Sequence, residues 1–327
     1  TYRAIVLLED GFWRIRHLVK EEAEPYTYKS EPVKLSGLIK GINYYPQASP
    51  WDLFGDHFDE NIIAQDFKLI NSAGLNSVRV FIPYEDFGKA DVKIEKLNKL
   101  ERLLDRAKDH DLKVVLTLFD FYGDYSVFDW TLNRRHAQTI VSEFKDHQAI
   151  FAWDIKNEPD LDFEARGRQK VMAWLGTMID LVKSVDRNHP VTIGWSNAGS
   201  APLLKDKVDF VSFHYYDDID KIGETYSSLK SSVGKAVAIT EFGLSSYRGI
   251  WNPFGHSETT QAEYHKRAQE QFRSVGIPNM SWTLYDFAEI PREVVGRLPW
   301  RKNAQKQFGF IDIDGVKKKA FQYISKD

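Results

Sequence analysis

The chain has no cysteine. A disulfide framework and a cysteine-ligated zinc site are therefore excluded, and the redox compartment is left open. No apolar run approaches the length needed to cross a membrane. The run AIVLL at 4–8 is too short for a signal-peptide core, and Glu9-Asp10-Gly11 follows at once. Excess positive charge is missing too. With 44 Lys and Arg against 47 Asp and Glu, the formal net charge is −3, which argues against a nucleic-acid backbone as partner. There is no HExxH and no P-loop. Neither a metal nor a cofactor is expected.

What is present is ordinary for a globular protein, with 43% hydrophobic and 28% charged residues. Aromatics are abundant: 14% of the chain, nine of them Trp. Such rings commonly line carbohydrate sites. The chain starts at Thr1 rather than Met. It is expected to be a processed or trimmed piece of something longer, which leaves room for further domains in the full-length chain.

Residues 1–34 read as a β-hairpin and lead-in. Segments 2–8 and 12–19 are strand-like and are joined by a turn signal. They are expected to be the remnant of a preceding β domain, or a flap beneath the next one. From Leu35 onward, apolar runs alternate with helical patterns eight times. The strand candidates are 38–44, 77–82, 113–119, 150–154, 191–195, 210–214, 236–240 and 280–284. Between them lie stripes at helical spacing: Ile63, Phe67 and Ile70; Leu97, Leu100, Leu104 and Ala107; Val171, Trp174, Met178 and Val182. Asp59, Glu60 and Glu258 fall near helix starts, where the macrodipole favours carboxylates. A short final helix is expected near 317–325. Eight strand–helix units predict an α/β fold, a closed (β/α)8 TIM barrel over 35–327 with a short N-terminal β-hairpin segment.

Chemistry in such barrels sits at the C-terminal ends of the strands. The first strand ends in Asn43-Tyr44-Tyr45, the second carries Arg79, and the third ends in Asp120. The fourth runs into WDIKNEPD, where Asp154, Lys156, Asn157, Glu158 and Asp160 crowd around Pro159. The fifth ends in Trp195, the sixth in His214-Tyr215-Tyr216, the seventh in Glu241, and the eighth carries Trp282. Glu158 and Glu241 stand about a third of the way round the barrel from each other. A pair of carboxylates flanking one bond is what glycoside hydrolysis needs: one gives a proton to the leaving oxygen, the other attacks the sugar carbon. Arg79 would favour the ionised partner.

WDIKNEPD resembles the strand-four motif of the clan A retaining glycosidases, and AITEFG (238–243) their strand-seven motif. FHYY (213–216) is similar to the His-X-Tyr of glycoside hydrolase family 5. SVRVF matches the strand-two Arg, SWTLYDF the strand-eight Trp, and QFGFIDIDGVKKKAFQYI the tail after the last strand. The resemblance runs from about residue 38 to the C-terminus. It implies Glu158 as acid/base, Glu241 as nucleophile and Asn157 on the sugar 2-hydroxyl. It also implies His214 tuning Glu158, Tyr216 and Arg79 holding Glu241, and Trp282 as an apolar floor. Asn43, Tyr44, Asp120 and Trp195 are further substrate-binding candidates.

The implied activity is retaining hydrolysis of a β-linked glycan, of β-mannan or β-glucan type. One departure concerns substrate: many family 5 cellulases end strand three in His, whereas LTLFDFYGDYS places Asp120 there. This points toward mannanase-like or family 2-like branches of the clan. The implied partner is a β-linked oligo- or polysaccharide. Action on polymers would imply a secreted or periplasmic protein.

Other readings are weaker. An exo-acting β-glycosidase of a family 2-like branch is one alternative. A non-catalytic sugar-binding barrel would explain the aromatics but not two Glu in catalytic register. GWSNAG (194–199) brushes against the serine-hydrolase elbow around Ser196, but its spacing is one residue too long. Asp217, Asp218 and Asp220 lack Ca²⁺-loop spacing and read as a solvated loop. Trp51, Trp130, Trp251 and Trp300 are candidate sugar-stacking rings in or near loops. Segments 245–256 and 289–302 are the loops expected to shape the groove.

Overall fold

The computed structural model describes residues 2–9, 12–20, 33–35, 37, 39–249, 252–295 and 298–324. Near the N-terminus, β1 (Tyr2–Glu9) pairs antiparallel with β2 (Phe12–Lys20), in a register running from Tyr2↔Lys20 to Glu9↔Phe12. The expected turn at Asp10-Gly11 lies outside the described residues. This hairpin belongs to a separate compact unit, residues 1–31.

The second unit holds eight parallel strands that close into a barrel. They are β3 (Lys40–Asn43), β4 (Ser77–Pro83), β5 (Lys113–Asp120), β6 (Ile150–Asn157), β7 (Val191–Trp195), β8 (Val211–Tyr215), β9 (Val237–Phe242) and β10 (Asn279–Ser281). Each pairs with the next in sequence, and β10 closes the ring onto β3. The fold is the expected (β/α)8 TIM barrel. The largest differences in strand length from expectation are in β3, β6 and β10, β3 being four residues rather than seven. β6 runs three residues further, and the Glu158 N–H still bonds the Gly194 carbonyl at 2.7 Å. β10 stops at Ser281, three residues short of the expected end at 284.

Helices fill the outer layer for the reason their stripes give. α1 (Glu60–Ser72) buries Ile63, Phe67 and Ile70, and its N-cap Asp59 accepts from the N–H groups of Asn61 and Ile62. α2 (Ile94–Asp109) buries Leu97, Leu100, Leu103, Leu104 and Ala107. α3 (Trp130–Phe144), α4 (Phe163–Arg166), α5 (Arg168–Val185) and α6 (Ile222–Val233) follow. α7 (Glu258–Val275) starts on the Ser257 cap and ends at Gly276, whose φ of 71° needs a residue without Cβ strain. α8 (Arg292–Val295) and α9 (Pro299–Gln305) come after the last strand, and the expected final helix is a 3₁₀ turn at Lys319–Tyr323. Each fully buried Leu of these stripes stabilises by roughly 2 kcal/mol over leaving it exposed.

Inside the barrel the chemistry changes with height. The N-terminal end is plugged by Leu35, Ile39, Val115, Ala152, Phe210, Ala238 and Met280. Above this plug the inward residues become polar: Arg79, Thr117, Asp154, Thr192 and Ser212 are all buried. That polar layer is the foundation on which the mouth is built.

Candidate active site

Arg79, fully buried on β4, organises the layer. Its Nε and Nη2 donate to Asp154 Oδ2 at 3.1 and 2.6 Å. Nη2 also donates to Asn157 Oδ1 at 2.9 Å, and Nη1 to Asn43 Oδ1 at 3.2 Å and Glu241 Oε2 at 3.4 Å. Asp154 accepts in addition from Thr117 Oγ1 and the Gly194 N–H. An ion pair this dry survives only because every lone pair and proton finds a partner. Gly194 has no room for a side chain, since a Cβ there would lie 2.6 Å from Arg79 Nη2. Sequence reasoning gave Arg79 to the nucleophile and overlooked Asp154, its main partner. The signal was strand parity, which turns Asp154 toward the barrel axis while Trp153 and Ile155 pack outward.

Glu158 follows β6 in a left-handed conformation (φ 46°, ψ 50°), and Pro159 then opens the 3₁₀ turn Pro159–Asp162. Asp160 pins this turn to the loop after β7 by accepting from Ser196 N, Ser196 Oγ and Asn197 Nδ2 at 3.0, 2.6 and 3.0 Å. The Ser196 hydroxyl thus donates to a carboxylate, and among the described residues no imidazole partners it as an esterase nucleophile would require. Asp217, Asp218 and Asp220 behave as a loop: Asp218 accepts from the Asp220 N–H, and Asp220 pairs with Arg267.

Across the mouth, β9 presents Glu241. Tyr216 donates to its Oε1 at 2.5 Å, and His214 Nδ1 lies 3.6 Å from its Oε2. The same Nδ1 is 2.8 Å from Glu158 Oε1. Arg79 Nη1 sits 3.4 Å from His214 Nε2, and a guanidinium cannot accept. The neutral ring therefore carries its proton on Nδ1, facing Glu158. The His214 nitrogen and one carboxylate oxygen from each Glu lie within 4.8 Å of one another. Among the described residues this trio is the only grouping with metal-ligand geometry; both Glu241 oxygens are already engaged by Tyr216 and Arg79, and Glu158 Oε1 by His214.

The two carboxyls share one electrostatic system. Burial raises Glu158, but the His214 hydrogen bond and charge, with Arg79 and Lys156, outweigh it and bring the carboxyl below its ordinary range. Burial raises Glu241 as well. There His214, Arg79 and Tyr216 oppose the rise, the Glu158 charge adds to it, and the net direction is up. Burial and Arg79 resist a proton on His214, but the two glutamates win and raise it.

Aromatic rings form the other side. Trp282, Tyr45, Phe81, Phe287 and Ile290 pack into a small cluster of their own, with Trp51, Val294 and Phe308 against it. Tyr45 stacks on Phe81 with centroids 5.2 Å apart and meets Trp282 edge-on at 5.5 Å. Tyr45, Trp51, Phe81, Trp282 and the Glu pair line an open cleft of about 590 Å3, which Lys156, Asn157, Phe121 and Tyr216 also face, while Phe287 and Ile290 back the wall.

Several sequence candidates fall elsewhere. Tyr44 is a correction: it is fully buried on the helix side, donates to Asp66 Oδ2 at 2.8 Å and packs on Phe67, while its neighbour Tyr45 lines the cleft. Trp195 is also corrected, being buried with its ring 6.3 Å from Phe163, away from the cleft. Asn43 sits beneath the mouth, where its Nδ2 bridges the Thr240 and Ser281 carbonyls and its Oδ1 takes Arg79. Asp120 is buried below the floor, with Oδ2 unpartnered, and burial pushes it up to about 6. Trp130 donates to the Tyr125 carbonyl, Trp300 is half-exposed on α9, and Trp251 lies outside the described residues.

The family model for cellulase (glycosyl hydrolase family 5) matches residues 39–288. The chain belongs to glycosyl hydrolase family 5. Within curated relatives, this family 5 chain is 23% identical over 253 residues to mannan endo-1,4-β-mannosidase A of Emericella nidulans, covering 63% of this chain and 65% of that one. It is 27% identical over 237 residues to mannan endo-1,4-β-mannosidase A of Hypocrea jecorina, covering 56% and 52%. Among solved structures, exo-β-1,4-mannosidase Op5Man5 from Opitutaceae bacterium strain TAV5 superposes with a TM-score of 0.70 at 19% identity, covering 87% of this chain and 58% of that one. The family 5 chain thus spans less than two thirds of each of these three proteins.

Proposed function

We propose that this family 5 chain hydrolyses β-glycosidic bonds in mannan-like glycans by double displacement, with retention at the anomeric carbon. The observation that carries the reading is the spacing of the two carboxylates, whose oxygens lie within 4.8 Å across the barrel mouth. Retaining enzymes hold their carboxyls roughly 5–5.5 Å apart, whereas inverting ones leave room for a water. The mannan-type substrate is supported by the two mannan endo-1,4-β-mannosidases that the chain resembles.

In the proposed cycle Glu158 gives its proton to the leaving oxygen while a Glu241 oxygen bonds to the sugar carbon. Water then loses a proton to Glu158, its oxygen replaces Glu241 on that carbon, and Glu241 leaves as a carboxylate. Asn157 faces the sugar with its free amide hydrogens, because Arg79 holds its oxygen. Trp282 meets the sugar's C–H face. The protein's own groups bias the proton toward Glu241, opposite to what the proposed cycle needs. The Glu158 side chain keeps 25% of its exposure while that of Glu241 keeps 10%. A sugar covering Glu158 removes its solvation and raises it, while Tyr216, Arg79 and His214 stay on Glu241.

The test is Glu241→Ala with an aryl β-mannoside. Turnover is expected to fall by roughly 10⁴-fold or more, and sodium azide is expected to restore part of it as an α-glycosyl azide. Unchanged turnover in the variant rejects the assignment.

A further inference from the structure

If Glu241 attacks the sugar carbon and Glu158 protonates the leaving oxygen, the attacked sugar lies over Trp282, and the rest of the glycone side points toward β10, β3 and β4. The departing portion leaves over the Glu158 loop. This orientation rests on the roles proposed above. On the glycone side, three separate loops converge on one indole. Trp51, in the loop after β3, donates from Nε1 to the Glu289 carbonyl at 2.9 Å in the segment after β10. Its ring lies 4.9 Å from Tyr45, 4.9 Å from Phe287 and 6.4 Å from Phe121.

Each contact is held from behind. Gln47 ties the β3 loop a second time to the chain beyond β10, donating to the Asp312 carbonyl at 2.7 Å. Phe121 follows β5 with φ of 55°, a left-handed backbone that an aromatic residue rarely adopts. This turn carries its half-exposed ring to Trp51 instead of continuing the strand. Backbone strain of this kind persists where the surroundings over-determine it, and it concentrates at ligand-clamping sites. Loops from β3, β5 and β10 are thus pinned together at Trp51 across the glycone half of the mouth.

We propose that Trp51 is an end-stop, and that the protein removes one sugar at a time from the non-reducing end of a β-linked chain. A chain bound through its middle would have to pass through the indole and the hydrogen bond that fixes it. On the Glu158 side the loops after β6 and β7 are tied by Asp160 rather than by a ring facing the cleft, so the remainder of the chain extends there.

The test uses β-1,4-linked mannose and glucose pentasaccharides carrying a fluorescent amine at the reducing end. Wild type is expected to give the tagged tetramer first, together with free monosaccharide. Trp51→Ala is expected to raise the initial share of tagged trimer and dimer at least tenfold, and Trp51→Phe to keep wild-type order. Thermal midpoints of both variants check that they fold, and if Trp51→Ala does not, the wild-type product order still decides. Tagged trimer or dimer from wild type at the earliest times overturns the inference. So does tetramer-first cleavage by a folded Trp51→Ala. No cleavage that depends on Glu241 overturns the proposed function and the end-stop with it, whereas Glu241-dependent cleavage in the wrong order overturns the end-stop alone.

Discussion

The two halves of the barrel mouth are made by different means. From β6 round to β9, the groups come from the last residues of strands or the first residue beyond them: Asn157, Glu158, His214, Tyr216 and Glu241. They are fixed by the polar layer beneath, through Arg79 and Asp154. From β10 round to β5, the cleft surface is rings, several of them carried in loops and fixed by packing on one another: Trp51 and Phe121 as well as Tyr45 and Trp282, with Phe287 packed behind. A hydrogen-bonded half holds direction, and a packed half holds shape. Damage to the first should therefore change the chemistry abruptly, while damage to the second should change which chains fit.

The largest expected effect breaks the polar half at its base. Asp154→Ala leaves Arg79 charged, buried and unmatched, and is expected to destabilise by about 3–5 kcal/mol. Chemical denaturation measures this. A loss below about 1 kcal/mol would show that the polar layer does not carry that half of the mouth.

Next is Tyr216→Phe. The Tyr216 hydrogen bond lowers Glu241, so without it Glu241 keeps its proton to higher pH. In the proposed cycle the rate needs Glu241 ionised and Glu158 protonated, which gives a bell-shaped profile. The acidic limb of the variant's kcat profile, which reports the substrate complex, is expected to move up and its kcat/KM to fall roughly tenfold or more, as for loss of a hydrogen bond to a charged group. A pH–rate profile with an unmoved acidic limb would remove Tyr216 from control of Glu241.

The smallest effect on activity separates two adjacent tyrosines. Tyr44→Phe loses its bond to Asp66 and is expected to cost roughly 1–2 kcal/mol of stability with KM unchanged. Tyr45→Ala is expected to raise KM, because its ring belongs to the cleft wall. Steady-state kinetics on both variants, with the reverse pattern, would undo the division between core and cleft.

That pair also marks how far a sequence can be read. Strand-and-helix periodicity reached the barrel because both signals are local, and the Glu pair could be picked out because motif order fixes strand order. Tyr44 and Tyr45 could not be separated, since both follow a strand only four residues long and a one-residue error reverses the face. Trp195 sits on a strand end like His214 and Glu241, yet parity turns it into the helix layer. The Trp51 contacts were beyond reach for another reason. They join loops 70 and 236 residues away, Phe121 and Phe287, that only the folded barrel brings together. Asp154 stood in plain view within WDIKNEPD, but its partner lies 75 residues earlier.

Closure of the ring by β10 also orders events in time. Asn43 bonds the Ser281 carbonyl across 238 residues, so the first barrel strand has no neighbour on that side until the last one is made. Contacts this distant in sequence form slowly, and a waiting strand edge is open to pairing with other chains. On the ribosome, both glutamates are synthesised well before Trp282 and before the seam is joined. The nascent chain therefore carries both glutamates before the ring that shares their cleft, and its most aggregation-prone interval is expected to fall between synthesis of β3 and arrival of β10.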